Sequence, residues 1–426
     1  MESLPMTSAE CRAASSALRP KIYNYARLLI QKGVALKPGQ ELFVSAPIDS
    51  VDFVRMVVKA AYEAGARHVT LGWSDDEISR LNYENTPLDF FETFPAWKRE
   101  QLDGLAAAGA CFLWLEGSDP DALRGIDPTK PAAYSLAANT ACTIYRESID
   151  FGKLPWCIAG VPTPAWSRKV FPDVSQEEAC YRLWSTILSV ARADGENPAS
   201  DWDTHNAVFE KNLRSLNTKH YDALHYQSKN GTDFTLGLTD KHLWEGGAAL
   251  TTDGVRFFPN MPTEEVFTTP DCRRAEGTVF SALPLSHHGS IVRNFWFRFE
   301  GGQVVDFDAE QGKDVLRSIL ETDDGARRLG ECALISKNSP IRETGLLFYS
   351  TLFDENASCH LALGKGFPEC YEGGLDMSVD ELLSCGVNNS ATHVDFMIGS
   401  DDLTITGISA DGSETAIFVN GQWAWE

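Results

Sequence analysis

Two histidines and three carboxylates in the second half of the chain each sit beside an apolar run, where a charged or polar side chain needs a reason to be. In residues 392–399, His393 and Asp395 alternate with Val394 and Phe396. Residues two apart in a strand face the same side, so this imidazole and carboxylate project together, as metal ligation or His/Asp catalysis requires. On a solvated edge strand the same pair is ordinary surface polarity, and the other segments bear on which reading holds. Glu264 and Glu265 lie between Pro262 and Pro270, just ahead of a strand-like run. Adjacent strand positions point to opposite faces, so one of the two holds a metal only if the other serves elsewhere or the backbone is irregular. Glu331 opens the apolar run 331–335, where an unpaired charge is costly and a cation relieves it. His360 enters a fourth apolar run; alone, it reads as a hydrogen-bonded core histidine.

Taken together, Glu265, Glu331, His360, His393 and Asp395 form a mixed nitrogen and oxygen set that suits zinc, cobalt or manganese, with magnesium also possible. Five ligands are too many for one tetrahedral zinc with an open position. Two divalent ions sharing a bridging carboxylate fit. Such a pair activates a water, polarises a carbonyl and anchors an amine, so hydrolysis is the expected chemistry. Glu264 is the nearest unassigned carboxylate and the candidate to take the proton from that water. The adjacent His287 and His288 face apart in a strand and cannot both join one site; a loop or surface role is expected for them.

These residues need a frame. The first half alternates apolar runs at 41–47, 68–73, 111–115 and 156–161 with helical patterns at 51–64 and 88–108, which implies a mostly parallel sheet covered by helices. Ser175 and Glu178 have the spacing of a capping box opening a helix to about residue 193. A polar stretch at 194–200 with Gly195 and Pro198 suits a connection ahead of a further helix at 204–216. The expected division is an α/β domain over 1–200 and a β-rich α+β catalytic domain over 201–426. Hairpins are predicted around Asn230-Gly231, Gly301-Gly302 and Asp411-Gly412, with a helix at 312–320.

Composition narrows the function classes. The 426 residues are 43% hydrophobic with a formal net charge of −23, a globular composition whose acidity repels phosphate backbones and argues against nucleic-acid binding. The near-continuous apolar stretch 106–115 is far short of the roughly 20 residues a membrane span needs. The first twenty residues have no basic n-region and no long apolar run, and the ten cysteines contain no Cys-x-x-Cys pair; a cytoplasmic protein with reduced thiols is expected. No dinucleotide fingerprint, P-loop, nucleophile elbow or zincin motif is present, and the segment from Gly364 to Gly366 lacks the third glycine of a dinucleotide loop.

The order and spacing of Glu264-Glu265, Gly330-Glu331, the 354–364 segment with His360, and His393 with Asp395 resemble the M29 family of cocatalytic metal-dependent aminopeptidases over nearly the full chain. The resemblance implies metal ligands at Glu265, Glu331, His360, His393 and Asp395, two divalent ions, and removal of N-terminal residues from short peptides. It also implies two-domain homodimers with an enclosed cavity. One position departs from the family pattern. A tyrosine is expected seven residues after His360, and Phe367 stands there; a phenyl ring can neither donate a hydrogen bond nor bind a metal. Tyr349 or Tyr371 could supply the hydroxyl instead. An amidase or esterase on the same site, or a metal-binding homologue with impaired catalysis, stays open.

Overall fold

A computed structural model describes residues 6–287 and 289–425. The chain divides discontinuously into two compact units: residues 1–206, 248–263 and 347–352 in the first, and 207–247, 264–346 and 353–426 in the second.

The first unit is built on a five-stranded, all-parallel sheet in the order Asn260–Met261, Trp156–Gly160, Cys111–Glu116, Glu41–Pro47, His68–Ser74. Its central strands are nearly continuous apolar runs, as strands buried on both faces must be. The helix Val51–Glu63 buries Phe53, Val54, Val57, Ala60 and Ala61, a stripe at helical spacing. Two helices differ from expectation. The 88–108 pattern is split into Leu88–Phe91 and Ala96–Ala107, because Pro95 lacks an N–H and turns the residue before it away from helical geometry. The helix Gln176–Val190 has only half of a capping box: Ser175 accepts from the Glu178 N–H, while the Glu178 carboxylate is drawn to Arg182, 2.6 Å away.

The second unit holds two antiparallel sheets. In the larger, nine-stranded one, Ala223–Gln227 pairs with Asp233–Leu238, Ser290–Glu300 with Gln303–Gln311, and Thr404–Ile408 with Glu414–Val419, so all three expected hairpins form. The smaller sheet runs His393–Met397, His360–Gly364, Leu329–Leu334, Val266–Thr268, Glu245–Gly246. Its back face is aliphatic and aromatic: Val394, Phe396, Leu361, Leu363, Cys332, Leu334 and Val266 all join one core cluster with Phe295, Phe297 and Phe299. Alternation then sends the intervening residues of each strand, His393, Asp395, His360 and Glu331 among them, to the opposite face.

Candidate metal centre

The register of the small sheet assembles the polar residues. Ala362 lies opposite both Glu331 and Asp395, and His360 lies opposite Ala333 and Met397. Pairing shifts between Leu329 and Glu331, an irregularity that re-aims Glu331 relative to the strand beside it. The shift depends on Gly330: a Cβ there would lie 2.3 Å from the Lys365 carbonyl oxygen and 2.4 Å from that of Gly364, too close for any other residue. Gly364 in turn has φ +104°, a conformation side chains rarely adopt.

All five expected ligands converge. Glu265, Glu331 and His360 place ligand atoms within 4.8 Å of one another, as do Glu331, His393 and Asp395, so the two groups share Glu331. His360 Nε2 is 3.4 Å from Glu265 Oε2 and 4.0 Å from Asp395 Oδ1. His393 Nε2 is 3.1 Å from Glu331 Oε2 and 3.2 Å from Asp395 Oδ1. On the far side of each ring, Nδ1 meets a backbone carbonyl: Glu355 at 3.0 Å for His360 and Lys365 at 2.7 Å for His393. A carbonyl only accepts, so both Nδ1 atoms carry the proton and both Nε2 lone pairs aim into the cluster in the neutral tautomer. Backbone partners fix metal-ligating imidazoles in this way.

The electrostatics are those of a site short of positive charge. Burial, followed by the charge of Glu331, pushes the Glu265 carboxyl up to about 8. Burial opposes a charged His393, yet Asp395 and Glu331 outweigh it and lift the imidazole well above its ordinary value. Burial also acts to raise Asp395, and the two histidines hold it lowered instead. Asp395 Oδ1 is buried and faces His393 Nε2 at 3.2 Å, a contact that lacks good hydrogen-bond geometry. Two imidazole nitrogens aimed at three buried carboxylates fit divalent cations, which satisfy all of them at once.

Glu265 enters the cluster, and the Glu264 N–H donates to Asn356 Oδ1 at 2.7 Å, tying this segment to the turn ahead of His360. That turn holds a carboxylate that motif reading passes over. Glu355, half-buried, has its carboxyl raised well above the usual range by burial and then by the charges of Glu265, Asp395 and Glu331. The available signal was the acidic pair Asp354-Glu355 shortly ahead of His360. Tyr371 directs its hydroxyl to Asp240 Oδ1 at 3.1 Å. Tyr349 belongs to the first unit, where it takes a left-handed φ of +58° with Lys169 Nζ 5.0 Å from its ring centroid. Phe367 packs on one of the expected ligands: its ring centroid is 5.1 Å from that of His393. His287 ends the strand Leu285–His287, and His288 lies outside the described residues.

The chain resembles known proteins over nearly its whole length. A family model described as Thermophilic metalloprotease (M29) matches residues 18–423. Aminopeptidase AmpS of Bacillus subtilis (strain 168) is 46% identical over 405 residues, covering 95% of this chain and 98% of the relative. Aminopeptidase 2 of Geobacillus stearothermophilus is 45% identical over 403 residues, 95% of this chain and 97% of its own length. The solved structure of wild-type AmpT from Thermus thermophilus superposes with a TM-score of 0.88 at 39% identity, covering 96% of this chain and all of that one.

Proposed function

We propose, from the premise that this chain belongs to the M29 family of thermophilic metalloproteases and is a peptide-bond hydrolase, that it removes the first residue from short peptides at the centre formed by Glu265, Glu331, His360, His393 and Asp395. The observation that carries the reading is the sharing of Glu331 between two ligand-ready groups. Glu265 and His360 would hold one divalent ion, His393 and Asp395 the second, and Glu331 both. Two such ions, zinc, cobalt, manganese or magnesium, supply a water of lowered pKa and a polarised scissile carbonyl.

The remaining work falls to side chains. Glu355 is the proposed proton acceptor, because burial and the charges of Glu265, Asp395 and Glu331 raise its carboxyl well above the usual range and so make it a stronger base, with Glu264 as the alternative. Tyr349 is the hydroxyl proposed from the sequence in place of the ring at Phe367. A cytoplasmic homodimer completes the reading. In its support, all ten cysteines are free, and among the described residues no helix is long and apolar enough to cross a membrane. Exposed Ile78, Leu81, Phe90 and Trp97 offer apolar surface to a second copy.

The test is hydrolysis of aminoacyl p-nitroanilides and N-blocked controls by chelated protein before and after zinc, cobalt or manganese is restored. Metal-dependent cleavage of the free-amine substrates alone is expected. Cleavage of blocked amides or of esters in preference would point to another metal hydrolase. Two bound ions without turnover would make this a binding homologue, for which the ring at Phe367 is the sequence hint.

A further inference from the structure

One carboxylate on the face of the small sheet remains unused. Glu245 lies directly opposite Phe267, Phe267 opposite Ala333, and Ala333 opposite His360, so a single cross-strand row leads from the edge strand Glu245–Gly246 to the metal centre. At about 4.8 Å per strand, Glu245 is about 10 Å from the strand that carries Glu331. Two aromatic rings occupy the gap: the Phe267 and Phe367 centroids are 5.5 Å apart, and Phe367 stands against His393. Both rings are half-buried and so keep an open side. The edge strand is held tightly, since a Cβ on Gly246 would lie 2.5 Å from the Glu265 carbonyl oxygen.

Glu245 is half-buried and has neither an ion pair nor a side-chain hydrogen bond among the described residues. Burial alone pushes its carboxyl up to about 7. A desolvated carboxylate without a partner is costly, and a cation from outside the chain relieves that cost. We propose that Glu245 sets a preference for peptides whose first residue is arginine or lysine, the aliphatic stem lying along Phe267 and Phe367 and the cationic head meeting the carboxylate. The inference rests on the aminopeptidase reading, which puts the reacting carbonyl at the five-residue centre. A long side chain spans the two-strand gap from there, whereas the α-ammonium stays beside the carbonyl.

Arginyl and citrullinyl p-nitroanilides isolate the charge, because the two side chains differ little in shape. With metal-loaded protein, kcat/KM for the arginyl substrate is expected to exceed that for the citrullinyl one by about tenfold or more, as a charge-assisted hydrogen bond gives. Glu245→Gln should abolish that ratio and Glu245→Lys invert it. Equal rates on the two substrates in the unaltered protein, or a ratio that survives Glu245→Gln, overturns the inference. So does an equal loss on arginyl, citrullinyl and leucyl substrates, which would assign the carboxylate to the α-ammonium. Calorimetric binding of argininamide against citrullinamide reads the same preference without turnover. If no substrate is cleaved, the aminopeptidase reading fails while this measurement still judges Glu245.

Discussion

A histidine binds a metal only through a nitrogen that carries a lone pair, and what sits on its far side determines which nitrogen that is. The carbonyls of Glu355 and Lys365 make this choice for His360 and His393. In the proposed reading Glu355 thus has two roles in one residue: its backbone orients His360, and its raised carboxyl is the proposed proton acceptor. Substitution separates them, since Glu355→Gln keeps the backbone carbonyl and removes the base. We expect kcat to fall by about 10²- to 10⁴-fold in Glu355→Gln, with metal content intact by atomic emission. Glu264→Gln should stay close to the unaltered protein in the same assay. The reverse pattern would return the role to Glu264, and Tyr349→Phe with full kcat would remove Tyr349.

At the scale of elements, the centre is a consequence of alternation on a sheet whose other face is core. This is why much of it was legible: His393 and Asp395 two apart among apolar residues, and Glu331 opening an apolar strand, each announce a face that cannot be hydrophobic. Glu355 was not legible, because a one-turn 3-10 segment, Glu355–Ala357, has no periodicity to betray which side chains turn inward. Glu245 was hidden for another reason: its strand is two residues long, and only pairing with Val266–Thr268 places it on the site face. The irregularity at Gly330 is likewise non-local, set by the carbonyls of Gly364 and Lys365 on a neighbouring segment. Gly330→Ala therefore tests the element rather than the ligand. It should destabilise the metal-free protein by about 2–3 kcal/mol in urea titration and lower bound metal, although no ligand has changed. Unaltered stability and metal content would show that the strand relaxes around the added methyl.

For the whole molecule, the net charge of −23 means that folding gathers carboxylates in a chain already rich in them, and the metal-free centre is where this is felt most. The Glu265 carboxyl titrates at about 8 in the folded protein against an ordinary value of 4.5, with burial the larger cause and Glu331 the next. Between those values the native state binds more protons than the unfolded chain, so this contribution is fully present below 4.5 and is lost as pH rises through 8, by up to about 1.4 kcal/mol per pH unit. His242 has the opposite sign. Burial holds its imidazole down at about 4, so the unfolded chain takes up a proton first, and its contribution is present above about 6.5 and lost as pH falls toward 4. Divalent ions held at the proposed centre would bind only its folded, deprotonated form and stabilise it by about 2.7 kcal/mol at a hundredfold excess over Kd, increasingly so as pH removes the competing protons. The melting temperature of chelated protein should therefore decline between pH 6.5 and 8.5 while that of the zinc-loaded protein holds, so that the gap widens with pH. His242→Gln should flatten only the acid side of both curves. Parallel curves for chelated and loaded protein across this range would mean that the five residues do not titrate against a metal, and the assignment of the centre would fall with them.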